Sequence, residues 1–364
     1  MNLFVNSIVP TAWLLLAARV LTLAVAAILL FVFLFLLQNK RKKKRKAQLR
    51  VLFSDLIAEI TIAENRPELQ ETLQAFASPK GRKQLLANGY ARKILINELV
   101  KTKENISGQS AGNLCWLYEE LGLRQDCFRA FRTGKWYRKV RAMQQLAAMQ
   151  QNDYLVKIYR ETNNKNSFIR TAAQLAVVKL TGFKGLRFLS IVSHPVSQWQ
   201  QLSLLSHLQE GEVEAGMIRL WLSKKNESVV EFALRLVEIY KCHDLHNEVV
   251  NSLRHDSAAI RLQALQALRE IYTDNTAEAL LQAYPLLNRP EQLAIVAMLP
   301  EVGGSENALR FLTTLVQGED EGLCFHAMHA IQQISPAWSS QVIHQLKTNP
   351  SFIPILTHLQ KEAV

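Results

Sequence analysis

The stretch HDSAAIRLQALQALREI, residues 255–271, decides the fold of this chain, because its apolar side chains recur at helical spacing. Ile260, Ala264, Ala267 and Ile271 are separated by four, three and four residues, so they lie along one face of a helix. The two small side chains in the middle of this stripe let a neighbouring helix approach closely. A single helix cannot bury the stripe alone, so the sequence predicts that it packs against other helices.

The same pattern returns along the chain. In SFIRTAAQLAVVKL, residues 167–180, Ile169, Ala173 and Ala176 repeat the spacing. The large residue that opens each copy, the anchor, recurs every 30 to 33 residues, at Trp136, Ile169, Trp199, Val229, Ile260, Gln292 and Leu323. A period near 31 that accommodates two helices predicts an α-solenoid of stacked repeats, with the anchors in its core. With only 14 Gly and 10 Pro in 364 residues, a loop-rich all-β chain is excluded and an all-α fold is expected.

A hydrophobic run precedes the repeats. The sequence VLTLAVAAILLFVFLFLL, residues 20–37, is long enough to cross most of a hydrocarbon layer of about 30 Å. Seven consecutive cations follow it: Lys40, Arg41, Lys42, Lys43, Lys44, Arg45 and Lys46. A signal peptide has its cations before the apolar run, so the order indicates an uncleaved anchor. The positive-inside rule predicts a single-pass inner-membrane protein with its N-terminus outside, and the seven cations are expected to contact anionic lipid.

Composition divides the chain into five predicted segments. They are an extracytoplasmic N-terminus at 1–11, a transmembrane helix at 12–38, a basic juxtamembrane segment at 39–50, an irregular helical cap or stalk at 51–125, and the repeat solenoid at 126–364. Charge is also unevenly distributed. Residues 1–208 carry 31 cations and 12 acids, whereas residues 209–364 carry 12 cations and 19 acids. The excess of cations in the first half predicts an anionic partner or surface near it.

The most informative polar segment is 124–141, in which cations alternate with aromatic residues. The candidate partner-binding residues are Arg129, Arg132, Lys135, Arg138, Lys139 and Arg141. Three interpretations stay open: a solvated face within the repeats, a surface that contacts anionic lipid or a partner protein, and a surface that binds nucleic acid through phosphate contacts and base stacking. Tethering at a membrane disfavours nucleic acid, because a genome-scanning protein must diffuse along its target.

Local signatures of catalysis are missing from the sequence. It contains no phosphate loop, dinucleotide fingerprint, nucleophile elbow or HExxH helix, so we expect no enzymatic activity and no cofactor. Two groups contain metal-ligand residue types but are interpreted as structural: Cys242, His243, Asp244, His246 and His255, and Cys324, His326 and His329. Four dispersed cysteines without a CxxC pair favour a reducing compartment over a disulfide framework.

The segments HDSAAIRLQALQAL and NKNSFIRTAAQLAVVKL resemble HEAT repeats of the short bacterial type over residues 130–345. More narrowly, GLRQDCFRAFRTGKWYRKVRAMQQLAAM at 122–149 and QWQQL at 198–202 resemble a family of membrane-anchored HEAT-repeat proteins of Bacteroidota-type bacteria. Val230 and Cys324 stand where a HEAT repeat has its arginine, so some repeats are expected to be irregular. The resemblance implies an armadillo-like scaffold and an association with exopolysaccharide glycosyltransferase or secretion systems.

These observations predict a non-catalytic, membrane-anchored scaffold that binds a membrane-proximal protein, for which the resemblance suggests a glycosyltransferase. The alternative is a nucleic-acid-binding HEAT-like protein that uses its basic first half. Salt-dependent binding of DNA separates the two.

Overall fold

The structure is a computed structural model that describes residues 11–76, 79–208, 213–318 and 320–346. Residues 1–10 of the predicted outer segment and residues 347–364 of the predicted repeat region lie outside the described residues. Within the described ranges the chain is all-α and contains no strand.

The α-helices are, in chain order, α1 (Thr11–Ile62), α2 (Arg66–Phe76), α3 (Pro79–Ala87), α4 (Gly89–Lys103), α5 (Gly108–Glu120), α6 (Arg124–Thr133), α7 (Trp136–Ala148), α8 (Leu155–Tyr159), α9 (Ser167–Thr181), α10 (Gln198–Leu205), α11 (Ala215–Leu222), α12 (Glu227–Tyr240), α13 (His246–Ser252), α14 (Ala258–Glu270), α15 (Thr276–Ala283), α16 (Arg289–Val302), α17 (Glu306–Val316), α18 (Glu321–Ile334) and α19 (Pro336–Leu346). Short 3₁₀ helices lie at Asn152–Tyr154, Gly182–Ser190, His243–Leu245 and Tyr284–Leu286.

Helix α1 continues without a break from the apolar run, through the seven cations, into packed protein. No Gly or Pro occurs between Pro10 and Pro67, and Lys, Arg, Gln and Ala all favour helix, so nothing in the sequence ends it earlier. At about 1.5 Å per residue its 52 residues extend for about 78 Å. Of the helices that the structure describes, α1 is the one long and apolar enough to cross a membrane.

The chain forms two compact units. Unit 1 comprises the described residues up to Gly134 together with Gln144–Gln151, and unit 2 comprises Lys135–Met143 and the described residues from Asn152 onward. The boundary therefore falls inside α7.

Unit 1 forms around the last third of α1. Phe53, Leu56 and Ile60 are buried there, at spacings of three and four residues that place them on one helix face, against α2, α4 and α5. The end of α1 is capped by side chains of α5. Asn113 Nδ2 donates to the carbonyls of Ile60 at 3.1 Å and Ala63 at 2.8 Å, and Ser110 Oγ donates to Thr61 O at 2.6 Å. These bonds satisfy carbonyls that a helix C-terminus leaves without partners.

Unit 2 repeats one arrangement of helices. Helix α12 packs against α14, α14 against α16 and α16 against α18, while α11, α13 and α17 pack on α12, α14 and α18. Six helices of this unit, α9, α10, α12, α14, α16 and α18, begin after a polar residue at the N-cap position: Asn166, Ser197, Asn226, Ser257, Asn288 and Asp320. Successive caps are 29 to 32 residues apart. The starts of these helices therefore recur with about the same period as the sequence pattern.

The core of unit 2 follows the alanine stripes. Ala264 and Ala267 of α14 are fully buried, as are Ala233 of α12 and Ala327 of α18. The anchors Ile169, Val229 and Ile260 each lie three residues after an N-cap and are buried.

Two predicted anchors, Trp199 and Gln292, lie one residue away from the third position after an N-cap. Helix α10 begins after Ser197, so the position three residues after its cap is Gln200, and Trp199 is 68% exposed. Helix α16 begins after Asn288, so Glu291 occupies the anchor position instead of Gln292. The expectation of a core position was wrong for Trp199, because the spacing between caps varies by up to three residues.

Candidate functional site

The predicted lipid-binding cations lie on α1 directly after its apolar part. Side chains of the apolar part, such as Leu15, Phe31 and Leu36, are exposed, as a lipid-facing surface requires. All seven residues at 40–46 are exposed. Because successive residues of a helix are turned by about 100°, seven consecutive cations surround the helix on every side. They form a collar about 9 Å long along the axis.

Two of the candidate partner-binding residues belong to unit 1 and lie on α6. The side chain of Arg129 is 73% exposed, and its Nη1 atom is 4.0 Å from Asp126 Oδ1. Asp126 is held more closely by Arg92 of α4, whose Nε lies 2.5 Å from Asp126 Oδ2. Arg132 is exposed in the last turn of α6. The only acid of the segment 124–141 is therefore engaged inside unit 1, and Arg129 keeps most of its surface in solvent.

The other four candidates belong to unit 2, with Lys135 just before α7 and the other three in its first half. Lys135, Arg138 and Arg141 are exposed. Arg138 places its guanidinium carbon 5.9 Å from the centre of the Tyr137 ring. Lys139 is different, because its Nζ atom is 2.6 Å from Glu161 Oε1 and both side chains are about four-fifths buried. The ion pair of Lys139 therefore links α7 to the turn before α9.

Trp136 was expected in the core, and that expectation was wrong. It is 48% exposed and is the first residue of α7. The indole stacks on Phe168 of α9, with ring centres 4.9 Å apart. Tyr137 meets it edge-on at 5.8 Å. Three aromatic rings that are each about half exposed or more are thus held together on unit 2.

Trp199 extends this aromatic group along the same edge. It occupies the second position after the N-cap of α10, as Phe168 does in α9. The next residue, Gln200, donates from Nε2 to Thr171 Oγ1 at 2.5 Å, so the first turns of α9 and α10 are side by side. We name Trp136, Tyr137, Phe168 and Trp199 the aromatic edge. The sequence interpretation missed Phe168 and Trp199 as surface residues, although their shared position after a cap residue marks them.

The aromatic edge lies in a strongly basic stretch. Residues 135–208 contain eleven Lys or Arg and two acids, Asp153 and Glu161. Glu161 is the acid that Lys139 neutralises. Large exposed apolar groups with cations and few acids nearby are what an interface for an acidic, partly apolar ligand requires.

A groove lies at the start of α12. It encloses about 800 Å³ between residues 189–195 and residues 224–231. Its walls are held by hydrogen bonds, because Asn226 Nδ2 donates to His194 O at 3.1 Å and the Val196 N–H donates to Ser228 Oγ at 2.8 Å. Lys224 and Lys225 line it together with Glu227. The groove is preformed and of mixed charge.

The two histidine and cysteine groups are embedded in packing contacts. His246 is buried, and its Nε2 atom lies 2.8 Å from Thr276 Oγ1. Cys324 Sγ donates to the carbonyls of Val316 and Gly318 at 3.3 Å, at the end of α17. Burial raises the pKa of the Cys324 thiol, and the charge of Asp320 adds to this rise, so the thiol stays protonated at neutral pH. Within the described residues no group of three or more His, Cys, Asp or Glu is placed to hold a metal ion.

No family model matches this sequence. No curated protein matches it with significant similarity. Among solved structures, the crystal structure of an engineered protein, a target of the Northeast Structural Genomics Consortium, aligns with 85% of this chain and 92% of its own chain at 13% sequence identity. The TM-score of that alignment is 0.29, so this likeness supports no statement about fold or function.

Proposed function

We propose that this chain is a non-catalytic scaffold anchored in the inner membrane by α1, with its N-terminus outside and both units in the cytoplasm. The continuity of α1 from the apolar run into unit 1 supports the anchor. The collar of cations at 40–46 supports the orientation. The recurrence of N-caps every 29 to 32 residues supports a HEAT-like solenoid in unit 2, in line with the sequence resemblance.

The aromatic edge is the observation that carries the proposed binding function. Tryptophan, tyrosine and arginine dominate the binding energy of protein interfaces, because they bury large areas with little loss of conformational freedom. Trp136, Phe168 and Trp199 expose 48%, 61% and 68% of their surfaces, which water solvates poorly. Lys135 and Arg138 are exposed beside the first of these rings. The partner surface that fits is acidic around apolar side chains.

The partner is a protein of the same membrane or one that is held at its surface. Anchoring confines the scaffold to the inner face and raises its effective concentration only for targets on that face. A glycosyltransferase of an envelope polysaccharide system, or a component of a secretion system, agrees with the family resemblance.

Substitution of the aromatic edge tests this function. We expect the double variant Phe168→Ser and Trp199→Ser to lose the partner that co-purifies with the full chain from detergent-solubilised membranes, as identified by mass spectrometry. A matched control is the pair Tyr272→Ser and Leu286→Ser, which are 51% and 71% exposed in the acidic half of the chain. This control pair should keep the partner. Retention of the partner by the first pair, or equal loss by both pairs, would remove the aromatic edge from the interface.

Charge reversal at Lys135 and Arg138 tests the electrostatic part. Both are exposed, so the double change to Glu should weaken partner binding without changing the helical signal. Lys139 is left unchanged in this variant, because its reversal would break the contact with Glu161. A loss of partner binding could then result from a loss of stability.

One observation also favours single-stranded nucleic acid as the ligand. Exposed stacked rings such as Trp136 and Phe168, with cations beside them, provide a platform on which bases can stack. This alternative requires binding of an oligonucleotide by the full chain in detergent, with an affinity that falls steeply as salt is raised. The Phe168→Ser and Trp199→Ser variant would then lose oligonucleotide binding, and co-purification of a protein partner would not depend on these residues.

A further inference from the structure

A cleft in unit 1 lies against the part of α1 that leaves the membrane. It is a cavity of about 320 Å³ between α1, α3 and the start of α4. The side chains that line it come from all three elements and the turn between the last two: Arg45, Leu49, Gln84, Leu85, Asn88 and Ala91. The cleft thus combines one cation, two amides and an apolar floor.

The parts of α1, α3 and α4 that line the cleft, residues 45–49 and 81–91, contain no acid. Residues 39–54 of α1 carry eight Lys or Arg and no Asp or Glu, and residues 72–97 carry five Lys or Arg and no Asp or Glu. Two acids of unit 1 are already paired with arginines. Glu98 Oε1 of α4 is 2.7 Å from Arg50 Nε, and Asp126 of α6 pairs with Arg92. The field in the cleft is therefore positive, which favours an anionic ligand.

The turn between α3 and α4 holds the cleft open. Asn88 caps α4, with its side-chain oxygen accepting the Tyr90 N–H at 2.9 Å. Arg92 donates to the carbonyl of Leu86 at the end of α3 and also pairs with Asp126. These contacts fix α3 against α4 without using Arg45 or Lys80. Arg45 lines the cleft, and Lys80 is exposed on α3 next to Gly81, which also lines it.

The geometry of α1 places the cleft next to the lipid headgroups. Arg45 is eight residues after Leu37, the last residue of the apolar run, which is about 12 Å along the helix axis. Side chains of a helix point toward its N-terminus, so that of Arg45 points back to the bilayer. The headgroup layer is about 5 to 7 Å thick, which puts a phosphate within reach of this side chain.

We propose that this cleft binds the headgroup of one anionic phospholipid of the inner leaflet. Arg45 contacts the phosphate from α1. Lys80, which lies four residues before Gln84 and therefore on the same face of α3, contacts it from the other side. The collar attracts lipid on all sides of α1, whereas the cleft binds lipid on one side of α1 only. Lipid binding in the cleft therefore determines which face of unit 1 contacts the membrane.

Hydrogen–deuterium exchange of the full chain in lipid nanodiscs tests this site. We expect the amides of α3 to exchange more slowly in discs that contain phosphatidylglycerol than in discs of phosphatidylcholine alone. The Arg45→Gln and Lys80→Gln variants should each reduce this difference by about fivefold, the factor that one cation near an anionic surface contributes. Lys43→Gln is the matched control, because it removes the same charge two residues away on the opposite side of α1, and it should keep the protection.

Three results would overturn the proposal. Equal exchange of α3 in the two kinds of disc would show that the lipid does not occupy the cleft. An equal effect of Arg45→Gln and Lys43→Gln would show attraction by the collar alone. Protection of α3 by inorganic phosphate in neutral discs would assign the cleft to free phosphate. The inference uses the membrane anchor of the proposed function but not its partner, so its failure leaves the co-purification and fusion tests unaffected.

Discussion

Arg261 of α14 and Glu291 of α16 form a buried ion pair, with 2.8 Å between Arg261 Nη2 and Glu291 Oε1. Each partner also binds the backbone. Arg261 Nη1 donates to the carbonyls of His255 and Asp256 at 2.8 Å, and Glu291 Oε2 accepts the N–H of Asn288 at 2.7 Å. One pair of side chains therefore joins α14 to α16 and fixes the turn before each of these helices.

Removal of the arginine from this pair should destabilise unit 2. Arg261→Met leaves the carboxylate of Glu291 buried without its cation, which costs about 3 to 5 kcal/mol. The melting temperature of the detergent-solubilised full chain, followed by circular dichroism, should fall by roughly 6 to 15 °C. Arg269→Met is the matched control, because Arg269 also joins α14 to α16, through Glu301, but both partners are about half exposed. The control should cost about 1 kcal/mol or less. Similar shifts for the two variants would contradict the structural role of the buried pair.

The first repeat of this type lacks the acid. Arg170 of α9 stands four residues after its N-cap, as Arg261 does, and donates to Asn164 O at 2.7 Å. Its Nε atom is buried without a hydrogen-bond partner. At the position of Glu291 the next repeat has Gln200, which accepts the Ser197 N–H at 2.9 Å through Oε1.

Gln200→Glu should therefore stabilise unit 2, because the new carboxylate can keep the cap and accept from Arg170 Nε. We expect a gain of about 1 kcal/mol after the loss of the bond to Thr171, measured as a higher melting temperature. Gln200→Ala removes both functions and should lower stability by about 1 kcal/mol. A melting temperature of the Glu variant at or below that of the Ala variant would refute the equivalence of the two repeats.

Packing of the alanine stripe gives a third prediction. Ala264 of α14 is fully buried, so Ala264→Arg should cost several kcal/mol through overpacking and an unpaired buried charge. Ala259→Arg adds the same side chain to the exposed side of the same helix and should change the melting temperature little. If both variants melt alike, the assignment of the buried face is wrong.

The direction of insertion gives a fourth prediction. With the collar at 40–46 on the cytoplasmic side, alkaline phosphatase fused to the C-terminus should be inactive and a fluorescent protein fused there should be bright. Replacement of all seven cations by Gln should make the orientation mixed, since no other cation cluster adjoins the span. An active phosphatase fusion of the unchanged chain would reverse the topology and move both units out of the cytoplasm.

The sequence alone predicted the helical class, the long apolar helix and the burial of Ile169, Val229 and Ile260. It could not predict that Gln200 and Glu291 occupy the third position after their N-caps, because apolar spacing does not detect polar side chains held by capping and pairing. Gln200 is partly buried and Glu291 is fully buried. Trp136 shows the same limit in reverse, since size and spacing suggested a core residue, whereas its place at a helix start leaves it at the surface. Basic residues were recognised by composition, but only the fold separates Lys139, which is paired, from Lys135 and Arg138.

The continuity of α1 from its apolar part into unit 1 has a mechanical consequence for the proposed anchor. From Leu37 to Ile62, α1 is a rod of about 38 Å whose far end is packed in unit 1 and capped by Asn113. A typical tilt of about 20° from the bilayer normal moves that end sideways by about 13 Å. In the proposed anchored protein, a bilayer of different thickness would change this tilt and so shift unit 1 sideways.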